Sequence, residues 1–163
     1  MNLGFQRVSV FCRDLESSLA FYRDLLRLVP VEEKTIEGAA AGALLQLPPC
    51  RMRIALLAVE ASAEPVLGLF EVSGVELDTV DYPSGSVGFG QTAVLFSTQE
   101  FDAVHARLEA AGARFLTSPV RYPKRTANAR SPAGIYREMI VRDPDGQLVG
   151  IMQIEPLTGE AQS

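Results

Sequence analysis

RVSVFCRDLESSLAFYRDLL, residues 7–26, decides the fold, because QTAVLFSTQEFDAVHARLEAA, residues 91–111, repeats its plan. In the first stretch Val8, Val10 and Cys12 alternate with Arg7, Ser9 and Phe11, the two-residue period of a strand. Asp14 follows where an N-cap carboxylate would accept the free amides of a first helical turn. Leu15, Leu19, Tyr22 and Leu26 then form one apolar helical stripe. The second stretch offers a strand at 91–96, a Ser97-x-x-Glu100 capping box and a helix with Phe101, Val104, Leu108 and Ala111 on one face. Gly112 is placed to end that helix.

Working outward, VPVEEKTI from Val29 reads as a strand, and residues 39–47 as a short helix stopped by Pro48 and Pro49. Residues 52–60 and 66–72 read as a strand pair around Pro65. In the second half, a loop that is basic in its later part (121–132) leads to strands 135–142 and 147–154. Those two meet through Asp143-Pro144-Asp145-Gly146, where proline presets one turn dihedral and glycine tolerates positive φ. The halves are offset by 84 residues at the first strand and 82 at the last, as a repeat with loop changes requires. The expected class is α+β: two βαβββ modules in pseudo-two-fold repeat, forming a half-open sheet around a central cavity with helices outside. Within a single domain of 1–163, the modules span about 5–73 and 91–156, with a polar, glycine-rich linker at 74–90 and a tail at 157–163.

Composition narrows the function. A formal charge of -5 and a pI of about 4.9 argue against nucleic acid and anionic membrane as partners. No apolar run approaches the roughly 20 residues that span a bilayer, and MNLGFQRVSV lacks the basic and apolar regions of a signal peptide. Cys12 and Cys50 make no disulfide framework, so a cytoplasmic location is expected. The glycines of SVGFG do not sit between a strand and a helix as dinucleotide binding requires, and a single histidine, His105, leaves no His-based relay.

The run D-L-x-x-S-x-x-F-Y-x-x-L-L (Asp14, Leu15, Ser18, Phe21, Tyr22, Leu25, Leu26), with the terminal DPDG turn inside a two-fold repeat, resembles the vicinal oxygen chelate superfamily. Glyoxalase I, extradiol dioxygenases and bleomycin-resistance proteins belong to it, and the resemblance covers about residues 5–156. It implies a metal site in metal-dependent members: a His near the start of the first strand of each half, and a Glu (or a Gln in the first half) in the last. Carried onto this chain, the His positions are Arg7 and Gln91, and the Glu positions are Gly68 and Gly150. Arginine is permanently protonated, glycine has no side chain, and one neutral amide oxygen is too little. The expectation is therefore no metal and no cofactor. Glu71 would reach the cavity only through a register slip, and the alignment of LGLFEV with VGIMQI argues against one.

Family register and strand alternation direct Arg7, Ser9, Phe11, Gly68 and Phe70 inward from the first half. From the second half they direct Gln91, Ala93, Leu95, Tyr136, Glu138, Ile140, Leu148, Gly150 and Met152. Glycines at both Glu positions predict a roomier, more apolar pocket. Arg7, costly to bury alone, is expected to pair with Glu138, to snorkel to the rim or to meet an anionic ligand group. The basic stretch 121–132 reads as a solvated loop or as a cationic rim.

Three functions compete. The preferred one is a metal-independent small-molecule-binding protein of the glyoxalase/bleomycin-resistance type, with Arg7, Ser9, Phe11, Gly68, Phe70, Gln91, Gly150 and Met152 holding a hydrophobic or aromatic, in part anionic, ligand. The alternative is a metal-independent lyase or isomerase, with Glu138 or Tyr136 as acid or base and Arg7 stabilising negative charge. The third is a pocketless interaction domain. A homodimer is compatible with all three.

Overall fold

A computed structural model describes residues 3–157, so the predicted tail lies outside the described residues from position 158 onward. The chain divides into two compact units, Met1–Asp81 and Tyr82–Ser163. The first contains β1 (Val8–Cys12), α1 (Leu15–Leu19), β2 (Val29–Gly38), α2 (Ala39–Ala43), β3 (Cys50–Ala58) and β4 (Leu67–Ser73). The second contains β5 (Ala93–Ser97), α3 (Phe101–Ala110), β6 (Arg114–Lys124), β7 (Gly134–Arg142) and β8 (Leu148–Glu155). The sheet orders, β1-β4-β3-β2 and β5-β8-β7-β6, are the same topology twice. In each, the first and last strands pair in parallel and the remaining pairs are antiparallel. The α+β class and the repeated βαβββ plan follow directly.

Local chemistry explains most element ends. Asp14 Oδ1 accepts from the Ser17 amide at 2.6 Å, capping α1, and this bond holds the Asp14 carboxyl below its usual range. Leu15, Leu19 and Tyr22 are buried as the stripe predicts. Phe21 is buried as well, and α1 continues as a wider π-helical segment, Ala20–Leu25, in which the Leu26 amide reaches the Phe21 carbonyl. Widening the turn lets two adjacent aromatic residues share the buried side. In α3, Phe101, Val104 and Leu108 are buried. Gly112, at φ 68°, ends α3, with its own amide bonded to Glu109 O and the Ala113 amide bonded to Leu108 O.

The Ser97-x-x-Glu100 capping box does not form. Ser97 remains in β5, paired with Met152, because the strand continues further than its hydrophobic run suggests. Glu100 takes the N-cap position, and Thr98 Oγ1 accepts its amide at 2.9 Å. The basic stretch 121–132 is likewise only partly a loop, since β6 runs to Lys124 along β7.

The turn at Asp143–Gly146 organises the second unit. Asp143 is 1% exposed, and its Oδ1 accepts the Asp145 and Gln147 amides at 2.9 and 2.8 Å. Beside it, the buried Arg142 guanidinium donates to the carbonyls of Gly146, Pro83 and Ser86. The later part of the glycine-rich linker is thereby tied to the β7–β8 hairpin. Among the described residues no helix is long and apolar enough to cross a membrane.

Candidate functional site

Each sheet has one face against its helix, and the residues expected at a ligand lie on the other. In the first unit Val10 and Cys12 are buried on the helix side, so Ser9 and Phe11 point away from it. Register places Ser9 beside Gly68 and Phe11 beside Phe70. The two phenylalanine rings meet at 5.6 Å, and the half-buried Arg7 guanidinium lies 5.9 Å from the Phe70 ring centroid. Arg7 Nε is buried without a hydrogen-bond partner. Glu71 is on the helix side: its Oε2 accepts the Leu15 amide at 2.8 Å and lies 3.6 Å from Arg53.

The rest of this face is already covered by the unit itself. Cys50, Met52, Ile54, Leu56 and Phe70 form a buried apolar cluster with Ala41 of α2, flanked by Ile36, Leu45, Val72 and Val75. The sequence indicated a short helix here but not that it covers the sheet. Phe70 is therefore a wall of packed side chains on which Arg7 rests, and Phe11, 49% exposed, is the ring available to a ligand.

In the second unit, Arg137 marks the helix side through its ion pair with Asp102 and its position 4.6 Å above the Phe101 ring. Tyr136, Glu138 and Ile140 therefore face the other way, with Ala93, Leu95, Leu148, Gly150 and Met152. Tyr136 is only 6% exposed, and its hydroxyl is spent on the Pro132 carbonyl at 2.9 Å. Within this unit, Glu138 Oε1 accepts from the Tyr122 hydroxyl at 2.8 Å. That bond, more than burial, holds the Tyr122 hydroxyl above the usual phenol range. Tyr122 also stacks on Tyr136, at 5.6 Å and 21°. Sequence reasoning missed Tyr122 because it read 121–132 as a loop. The alternation Val120, Tyr122, Lys124 was the available signal.

Two expectations about the pocket change. The space at the glycines is not free. A Cβ on Gly68 would lie 2.7 Å from the Phe70 ring and 3.2 Å from Arg7 Nε, while one on Gly150 would lie 2.6 Å from Leu95 Cδ1. Neighbouring side chains have taken the vacated volume. Arg7 and Gln91 are also not equivalent. Ser9 pairs with Gly68 and Leu95 with Gly150, an offset of 86 residues, and the N-caps Asp14 and Glu100 are equally far apart. The residue standing in Arg7's place is Ala93. A slip of two keeps every side chain on its face, which is why alternation alone did not expose it. Gln91 instead turns back on the preceding loop, its Oε1 accepting the Gly88 amide at 3.2 Å while its Nε2 is buried without a partner.

A family-type metal does not fit these residues. Arginine, alanine and two glycines offer no donor, Glu71 is on the opposite face, and no group of three or more His, Cys, Asp or Glu that could hold an ion occurs among the described residues. His105 is on α3, edge-on to Phe115 and 3.7 Å from Glu109.

A family model described as the Glyoxalase/Bleomycin resistance protein/Dioxygenase superfamily matches residues 4–151. Among solved structures, a glyoxalase family protein from Bacillus cereus is 20% identical, with TM-score 0.74 over 95% of this chain and 96% of that one. The trypanothione-dependent glyoxalase I of Leishmania major is 12% identical, with TM-score 0.60 over 93% and 87%. A fosfomycin resistance protein mutant from Listeria monocytogenes, solved with Mn(II) and dihydroxypropylphosphonic acid, is 12% identical, with TM-score 0.53 over 93% and 92%. At these identities the likeness is one of fold. No curated protein matches the chain.

Proposed function

Given that the chain belongs to the glyoxalase/bleomycin resistance protein/dioxygenase superfamily, we propose that it is a metal-independent small-molecule-binding protein in which Arg7 anchors an anionic group of a partly aromatic ligand. The observation that carries this reading is the buried, unpartnered Nε of Arg7, held against Phe70 beside the exposed Phe11 ring. A buried donor without a partner costs about 1–3 kcal/mol, which a ligand oxygen would recover. Ser9, next to Phe11 on the same face, adds a hydroxyl. Binding is favoured over catalysis because the Tyr136 hydroxyl is committed to a backbone carbonyl and one Glu138 oxygen is engaged by the Tyr122 hydroxyl. Cys12 and Cys50, both buried and in no disulfide, suit a reducing, cytoplasmic setting.

The test is a fluorescence titration with anilinonaphthalene sulfonate, an anionic aromatic probe. Arg7→Ala is expected to raise its Kd about tenfold, the value of one charge-assisted hydrogen bond. An unchanged Kd in a folded variant overturns the anchoring role.

A further inference from the structure

We propose that Tyr122, Tyr136 and Glu138 form a second binding site, independent of Arg7, for a flat, positively charged nitrogen heterocycle. All three lie on the helix-free face of the second unit, on neighbouring strands β6 and β7, where Tyr122 pairs with Tyr136 and Val120 with Glu138. β6 is at one edge of its sheet. Tyr136 covers one side of the Tyr122 ring, and with Tyr122 43% exposed, its other side is open to a planar partner.

Charge selects the partner. Glu138 accepts one hydrogen bond, from Tyr122, and among the described residues it is in no ion pair. The cations of its own and the adjoining strands are directed elsewhere: Arg137 to Asp102, Arg121 to Glu155, Lys124 to Ser131, and Arg114 and Arg142 to backbone carbonyls. Around the carboxylate are exposed Val120, half-buried Met152 and two electron-rich rings. A carboxylate with spare acceptor capacity beside aromatic faces attracts cations by both charge and quadrupole. The chain shows this preference itself, since the Lys124 ammonium sits 6.0 Å from the Tyr136 centroid. A planar cation would stack on the outer side of Tyr122 and donate an N–H to Glu138. This face attracts charge of the opposite sign from that drawn by Arg7, so the site goes beyond the anion-anchoring reading.

Two acridines of similar shape and opposite charge test it: cationic proflavine and an acridine carboxylate, titrated by dye fluorescence with the tyrosine ring protons followed by NMR. Proflavine is expected to bind one-to-one, at least about tenfold tighter than the carboxylate, and to shift the Tyr122 ring signals upfield. Tyr122→Ala and Glu138→Gln should each weaken proflavine about tenfold, and Tyr122→Phe, which keeps the ring, should retain binding. Equal affinity for the two dyes, or undiminished proflavine binding in both Tyr122→Ala and Glu138→Gln, overturns the site. Arg7→Ala should leave proflavine binding unchanged while weakening the sulfonate probe, so the two sites stand or fall separately.

Discussion

Gly42→Ala is expected to lower the unfolding free energy by about 3 kcal/mol or more, because the new methyl group would meet backbone that cannot yield. A Cβ at Gly42 would lie 2.4 Å from both the Leu47 and the Pro48 carbonyl oxygens. The flexible tip of a side chain could swing away from such a contact. Here the Gly42 carbonyl also accepts the Leu45 and Leu47 amides at 3.0 Å each, so displacing the loop breaks its hydrogen bonds. The loop leads from α2 into β3 and carries Leu45, which packs on the cluster of Ala41, Met52, Ile54, Leu56 and Phe70. Urea denaturation followed by circular dichroism measures the change. A midpoint indistinguishable from wild type would mean that α2 does not cover the sheet in this way.

Arg142→Ala is expected to cost about 3 kcal/mol, since one buried guanidinium gathers carbonyls from three places. It bonds Pro83 and Ser86 from the linker and Gly146 from the DPDG turn, and is only 8% exposed. Without it the linker loses its attachment to the hairpin, and water regains the carbonyls at the expense of ordered backbone. Arg142→Lys should recover less than half of the loss, because an ammonium cannot reproduce the planar fork. Chemical denaturation gives the energy, and amide exchange across residues 83–90 gives the location. Unchanged protection in that segment would contradict the latch.

Much of the fold was legible because period and punctuation agreed. The strand period at 7–12, the Asp14 cap, the 15–22 stripe and the DPDG turn each specify local geometry chemically, and all four appear in the structure. The start of α3 was not legible, because Ser97 and Thr98 both offer hydroxyls and only strand pairing to β8 decides which residue leaves the sheet. The site divides in the same way. Alternation placed Ser9, Phe11, Gly68, Glu138 and Gly150 on the correct faces, since a face depends only on odd and even positions. It could not give the row along the strand, so Gln91 was matched to Arg7 where Ala93 stands. Nor could it show that Phe70, Leu56 and Leu95 would occupy the space above the glycines, because that depends on rotamers chosen in the packed sheet.

Metal independence is the claim on which the function rests, and it is measured directly on protein purified without added ions. Elemental analysis by mass spectrometry is followed by sulfonate-probe titration before and after treatment with EDTA. With arginine, alanine and glycines at the ligand positions, the expected result is substoichiometric metal and the same Kd in both titrations. A stoichiometric divalent ion, or binding that EDTA abolishes and added zinc or manganese restores, would contradict it.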